Sequence, residues 1–180
     1  TMKINEDCDN AYFQKVKEIL SKDINSIVIF GARFPVHISN YLFDNQEGGV
    51  EGKEWENKYV SVGKYENIQA SFQNEISELS KNHKIILIYP IPAVGWNAPN
   101  KLLNSIPKKV KLIEDYLIPK NYITTSYKVY KNRTKSSFEL LDFIQGKNIY
   151  RVFPHTLFCN TTIKNRCVTH DDKNIFYSDG

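Results

Sequence analysis

Lys84-Ile-Ile-Leu-Ile-Tyr89, stopped by Pro90-Ile-Pro92, is a continuous apolar run of strand length. Such runs are typical of strands covered on both faces, as in parallel sheets. Proline has no amide hydrogen to give a ladder, so the strand ends at Pro90. Two runs of the same build lie on either side in sequence. Ser26-Ile-Val-Ile-Phe30 leads into the turn Gly31-Ala-Arg-Phe-Pro35, and Ile149-Tyr-Arg-Val-Phe153 is stopped by Pro154. Helical patterns fill the intervals. Asp9 is a good N-cap for a first helix with Tyr12, Phe13, Val16, Ile19 and Leu20 on one face. Ile68, Phe72, Ile76 and Leu79 mark a second. Ser105 and Pro107 open a third, with Val110, Ile113 and Leu117 as its buried face and Pro119 as its stop. Residues 125–145 read as a long helix through Tyr127, Tyr130, Thr134, Phe138 and Leu141, with Gly146 as its C-terminal cap. Strand and helix alternating in this way predict an α/β fold with a parallel sheet.

The 180 residues suit one domain with one core, and a hydrophobic share of 41% is ordinary for a globular chain. The net charge of +4 is spread thinly, with short basic clusters at Lys108–Lys111 and Lys131–Lys135. Polyanion binding needs a dense basic face, so nucleic acid is not expected as a partner. The longest apolar run, Ile85 to Val94, contains two prolines and falls well short of the roughly 20 residues of a membrane span. The polar, acidic start reads as no signal peptide. A long polar stretch from Asp44 to Tyr65 carries Gly48, Gly49, Gly52 and Gly63 and reads as a loop or flap at the edge of a site.

In open α/β sheets, ligands bind beyond the carboxyl ends of the strands. Three segments lie there: Gly31 to Arg33, Pro90 to Trp96, and Pro154 to Cys159. Acyl transfer by a serine enzyme needs a nucleophile, a histidine base, an orienting carboxylate and oxyanion donors. The chain has no Gly-x-Ser-x-Gly elbow, no Gly-Asp-Ser block and no phosphate-cradling glycine loop. His37 and His155 follow strand ends, His83 precedes one, and His170 lies after Cys167. Each reads more readily as a surface or hydrogen-bonded histidine than as a base. Asp179 follows the short aromatic segment Asn174-Ile-Phe-Tyr177, a usual place for a catalytic carboxylate, although spacing alone favours a turn aspartate. Cys159 and Cys167 enclose seven residues and suit either a disulfide or two free thiols. Their spacing fits no common zinc pattern, so no metal is expected. Cys8 has no evident partner.

In this order, several segments resemble the SGNH (GDSL-like) domain fused to acyltransferase-3 membrane proteins, which O-acetylate bacterial surface polysaccharides. They are Ser26 to Pro35, Ile85 to Gly95, Tyr130-Lys-Asn-Arg133, Val152-Phe-Pro154, Leu157-Phe-Cys159, Cys167, and Ile175-Phe-Tyr177-Ser-Asp179-Gly180. The resemblance spans nearly the whole chain. It implies a three-layer α/β sandwich with a mainly parallel sheet, flavodoxin-like, formed by residues 1–180 as a single domain truncated at both ends. Asp179 becomes the triad acid. Gly31 and Arg33 take the place of the Gly-x-Asn block of the oxyanion hole, with arginine where the superfamily has asparagine. Cys159 and Cys167 become a disulfide. The Gly-Asp-Ser block falls before Thr1, and the histidine three residues after Asp179, so the chain by itself is expected to be inactive. The implied setting is periplasmic, tethered through a membrane acyltransferase domain, acting on an acetylated or acetyl-accepting polysaccharide without a cofactor.

Two other readings of Arg33 and of the whole chain stand beside these. Arg33 could pair with Glu47 or Glu51 in the acidic loop. The chain could be a non-catalytic polysaccharide-binding or scaffolding domain, which the missing serine and histidine and the loop aromatics Trp55, Tyr59 and Trp96 would suit.

Overall fold

The computed structural model describes residues 10–39, 43–51, 68–105, 122–171 and 173–177. Its elements in chain order are α1 (Asn10–Lys22), β1 (Ile27–Gly31), α2 (Phe34–Ser39), α3 (Ile68–Leu79), β2 (Lys84–Ile88) and α4 (Ala98–Ser105). Then come β3 (Thr124–Ser126), α5 (Tyr127–Asp142), β4 (Ile149–Val152), α6 (His155–Phe158) and β5 (Arg166–Val168). The chain divides into two compact units. The first holds Thr1–Asn40, Glu56–Tyr89 and Ser136–Val152, and the second holds Tyr41–Trp55, Pro90–Lys135 and Phe153–Gly180. No described helix is long and apolar enough to cross a membrane.

The first unit is built on the three predicted strands, paired in parallel in the order β1-β2-β4. Because the order runs in one direction, right-handed connections put α3 and α5 on the same face of the sheet. The core follows from that. Ile76 of α3 and Leu140 and Leu141 of α5 pack with Ile85, Leu87, Ile149 and Ile144. Ile76, Ile85, Leu87 and Leu141 have no exposed surface. Burying a side chain of this size is worth about 1.5–3 kcal/mol. Phe72 of α3 meets the rings of Phe30 and Phe34 edge-on, both at 6.0 Å.

The other face departs from the expectation for β1. Its residues alternate rather than being buried on both sides, with Ile27 and Ile29 about 60% exposed. Tyr150 and Val152 of β4 are also exposed. Among the described residues, α3 and α5 have no counterpart on this side. A continuous apolar run therefore marks a strand here without marking two-sided cover.

Tyr89, at the end of β2, is buried and ties the sheet to the end of α5. Its hydroxyl donates to Asp142 Oδ1 at 2.5 Å and accepts from Arg151 Nε at 3.2 Å. Arg151 Nη2 also donates to the Ile144 carbonyl. Burial, and then the bond to Asp142, push the Tyr89 phenol up to about 12, so it stays a donor. Gly146 is not the cap of α5. The helix ends at Asp142, Gly146 lacks a positive φ, and its carbonyl instead accepts from the Ile149 amide at the start of β4.

The second unit contains a two-stranded antiparallel sheet, β3 with β5, that the sequence pattern did not suggest. Three-residue strands are too short for an alternation to register. Ser105 is the last residue of α4, and Asn97 Oδ1 caps α4 by accepting from the Asn100 amide; the helix expected to open at Ser105 and Pro107 lies outside the described residues. The expected buried face at Val110, Ile113 and Leu117 lies outside the described residues. Asn174 to Tyr177 forms no strand, and Ile175 makes a single bridge to His170.

The one-sided core sets an expectation for truncation of the sheet. Ile85→Ala should cost about 2–5 kcal/mol by urea unfolding. Ile29→Ala, from the exposed face, should stay within about 0.5 kcal/mol. Equal losses would mean that both faces are covered.

Candidate active-site segments

The parallel register sets Gly31, Ile88 and Val152 abreast at the carboxyl ends of their strands. From that row the chain continues into Ala32-Arg33, Tyr89-Pro90 and Phe153-Pro154, the segments singled out by the strand-end rule.

In the first unit, Gly31, Ala32 and Arg33 are exposed, and α2 begins directly after Arg33. Gly31 is not held by shape. A Cβ there would meet Ile88 at 3.6 Å, an ordinary contact, and its φ is not positive. The Arg33 guanidinium is a fixed fork of donors on a short turn, chemically able to face an anion. Glu47, one of its suggested partners, is held by Arg166 in the second unit. Arg166 Nη1 and Nη2 bind the two carboxylate oxygens at 2.5 and 2.6 Å. The same guanidinium donates to Thr124 Oγ1 and Thr124 O. The arginine's hydrogen bond keeps the Glu47 carboxyl below its ordinary range.

In the second unit the Pro90-Ile91-Pro92 turn is held by two tyrosines. Tyr130 donates to the Pro90 carbonyl at 2.7 Å, and Tyr177 to the Pro92 carbonyl at 2.6 Å. Neither contact has a local sequence signature, since the partners are 40 and 85 positions apart. Burial raises both phenols. His155, at the start of α6, stacks near Tyr127 and Tyr130 and meets Phe153 edge-on. Burial lowers its pKa, which favours the neutral ring.

Within the stretch read as a loop or flap, residues 43–51 form a loop held by side-chain and backbone hydrogen bonds. Asn45 is fully buried. Its Oδ1 accepts from the Glu47 and Gly49 amides, and its Nδ2 donates to the Val94 carbonyl at 2.8 Å. Gly49 and Gly95 are required here. A Cβ on Gly49 would lie 2.5 Å from Trp96 Nε1, and Gly95 has φ +72° with a Cβ position 2.6 Å from the Gly49 carbonyl. Asn45 followed by Gly48 and Gly49 is a turn signature that points to such a hub. Trp96 is half-buried, with Lys101 Nζ 3.4 Å above its ring, so one face is already occupied. Trp55 and Tyr59 lie outside the described residues.

Cys159 and Cys167 form a disulfide, with Cys167 in β5. Cys8 lies outside the described residues. His170 is buried, stacks on Tyr122 at 5.0 Å and accepts the Ile123 amide on Nε2, while Nδ1 faces the Asp171 carbonyl. That pattern places its proton on Nδ1 and commits both nitrogens to the backbone. His83 is also buried, at the start of β2. The closing segment is tied down as far as it is described. The Asp171 carboxylate accepts from the Lys173 and Asn174 amides, and Phe176 donates to the Thr169 carbonyl and packs on Phe158. Asp179 lies outside the described residues.

Compared with known proteins, the chain matches the family model described as SGNH domain (fused to AT3 domains) over residues 1–180. No curated protein and no solved structure matches it.

The Glu47–Arg166 pair makes a pH-dependent contribution of known sign. With a lowered folded pKa, Glu47 stabilises the fold above its unfolded value near 4.5 and stops doing so as pH falls through the folded one. Glu47→Gln should therefore cost about 1 kcal/mol at pH 7 in low salt, allowing for partial exposure. The difference from the parent should close in acid. A gap that persists at pH 3 in denaturant titrations would contradict the ion-pair origin.

Proposed function

The chain belongs to the SGNH domains that occur fused to AT3 domains, and from that membership we propose that it serves O-acyl, specifically acetyl, transfer to a cell-surface polysaccharide or ester hydrolysis on one. The observation that carries this reading is the family match through all 180 residues, running unbroken through both units. On this reading the two units make a single SGNH domain, and the membrane partner is the acyltransferase domain of the same protein.

The chemistry needs four groups. A serine attacks the acyl carbonyl while a histidine takes its proton. The carbonyl oxygen gains charge and is met by preorganised donors. The intermediate then collapses, the donor leaves with the proton, and an acyl-enzyme remains. A sugar hydroxyl completes transfer, whereas water completes hydrolysis. Asp179 is assigned to orient the histidine. Gly31 and Arg33 are assigned to the oxyanion. Arginine brings a full positive charge where the family pattern has a neutral amide, and its rigid fork of donors can meet the developing anion. Residues 1–180 supply neither the Gly-Asp-Ser serine nor the histidine three residues after Asp179. The reading places both in the sequence that flanks this domain. It calls for no cofactor.

The disulfide supports an oxidising, extracytoplasmic setting, since such bonds are rare where thiols are kept reduced. A surface domain tethered to a membrane acyltransferase would work there.

In the full-length protein, Asp179→Asn should lower turnover of an acetyl ester by about 10²–10⁴-fold, as expected for loss of a triad carboxylate. Undiminished turnover would remove Asp179 from the triad. Glycan binding by calorimetry without any acetyl turnover by the parent protein would favour a binding domain instead.

A further inference from the structure

We propose that Tyr127, Tyr130 and His155 form a ring platform in the second unit which, with Lys128 and Lys131 at its rim, docks an acidic sugar chain. The inference rests on the reading of the substrate as a polysaccharide and adds where it lies and what charge it carries.

The three rings are nearly parallel. Tyr127 and Tyr130 are 6.0 Å apart and 18° from parallel, Tyr127 and His155 6.4 Å and 26°, and Tyr130 and His155 5.6 Å and 30°. Three rings in one column would set the outer pair at double the spacing of neighbours. These separations are nearly equal, so the rings lie partly side by side and spread a surface. Tyr130 is its buried floor, fixed by the bond to the Pro90 carbonyl. Tyr127 and His155 are half-buried, and Phe153, edge-on to His155 at 6.1 Å, is exposed. The sequence sets this up. Tyr127 and Tyr130 are three apart on α5 and so neighbours on its surface. His155 opens α6, three residues past the end of β4, and both Pro90 and Phe153 belong to segments that follow strand ends.

Sugar rings carry C–H groups on their flat faces, and the electron-rich face of an aromatic ring attracts them. Burial lowers the His155 pKa, so its ring is neutral near pH 7 and offers a face rather than a charge. The charge comes from its neighbours. Lys128 and Lys131 are exposed, and Lys131 Nζ stands 4.8 Å from the Tyr127 ring centroid. Residues 122–135 hold Lys128, Lys131, Arg133 and Lys135, and residues 153–170 hold Lys164 and Arg166. Neither segment has an aspartate or a glutamate. A carboxylate on the platform therefore meets cations and no anion from the segments that build it. A few lysines around an aromatic surface suit a chain with one carboxylate per sugar, whereas the closely spaced phosphates of nucleic acid need a denser basic face.

The experiment is calorimetric titration of the full-length protein at low salt, with tetragalacturonate as the acidic probe and maltotetraose as the neutral one. The parent should bind tetragalacturonate about tenfold or more tightly than maltotetraose. Tyr127→Ala should weaken tetragalacturonate binding about tenfold, and Tyr127→Phe should bind like the parent, since the ring and not the hydroxyl makes the contact. Lys128→Gln/Lys131→Gln should weaken it by about three- to tenfold, with the difference shrinking as salt rises. These lysines are exposed, so this pair tests the surface even where Tyr127→Ala unfolds the protein. Lys22→Gln/Lys81→Gln removes the same charge from exposed positions of the first unit and should keep the parent affinity.

Absence of tetragalacturonate binding, equal affinity for the two sugars, or equal losses in the two lysine pairs would overturn the proposal. Parent-like binding by a folded Tyr127→Ala would overturn it as well. Turnover of p-nitrophenyl acetate by the parent is read separately. A parent that binds tetragalacturonate as described but never turns over the ester would overturn the transfer reading and leave the platform standing. A parent that turns over the ester and binds neither sugar would overturn the platform and leave the transfer reading standing.

Discussion

Three parallel strands in one register, with Gly31, Ile88 and Val152 abreast, are the constraint from which the rest of the molecule is laid out. Parallel pairing requires a crossover between strands. It brings the carboxyl ends to the same edge, so each strand hands the chain on from the same row. Because β1, β2 and β4 follow one another in a single direction, the handedness of the crossovers gathers α3 and α5 on one face. The core of the first unit forms there, and Tyr89, Asp142 and Arg151 close it with hydrogen bonds at its strand-end edge.

The second unit is organised differently. Among its described residues regular sheet is limited to β3 and β5, and irregular backbone is held by specific polar contacts in place of a ladder. Asn45 satisfies two amides and one carbonyl while fully buried. A buried amide side chain is tolerable because its polar atoms are paired. Arg166 commits its guanidinium to Glu47 and Thr124, and the disulfide closes the loop between Cys159 and Cys167. Segments of this kind suit a site that must present particular atoms, since fixed contacts rather than repeated ladders decide where each atom lies.

The parts of the fold legible in the sequence are those with strong local periodicity. Ile68, Phe72, Ile76 and Leu79 mark α3, Lys84 to Tyr89 mark β2 to within a residue, and the stripe from Tyr127 to Leu141 marks α5. What local pattern does not carry is which neighbour covers which face. Ile27 and Ile29 read as buried because the run is apolar, yet their exposure depends on the direction in which the sheet is wound. Gly146 carries a cap signature but lies four residues past the helix end, where it turns the chain into β4. The candidate site divides along the same line. Gly31 and Arg33 follow from the strand-end rule and family order, and the Cys159–Cys167 bond from the resemblance. The Tyr130 and Tyr177 contacts with the proline turn join distant positions through single hydroxyls, so only a folded chain reveals them.

The proposed function requires that an acetyl group pass through an ester on a serine of the full-length protein. The most direct measurement is intact-mass and peptide mass spectrometry of the full-length protein, quenched in acid during turnover of an acetyl ester. The expected result is one added acetyl group on the serine of a Gly-Asp-Ser block, accumulating before steady state and lost on a chase with acceptor. Sustained turnover with no acetylated serine at any quench time, even with slowed deacylation, would contradict it.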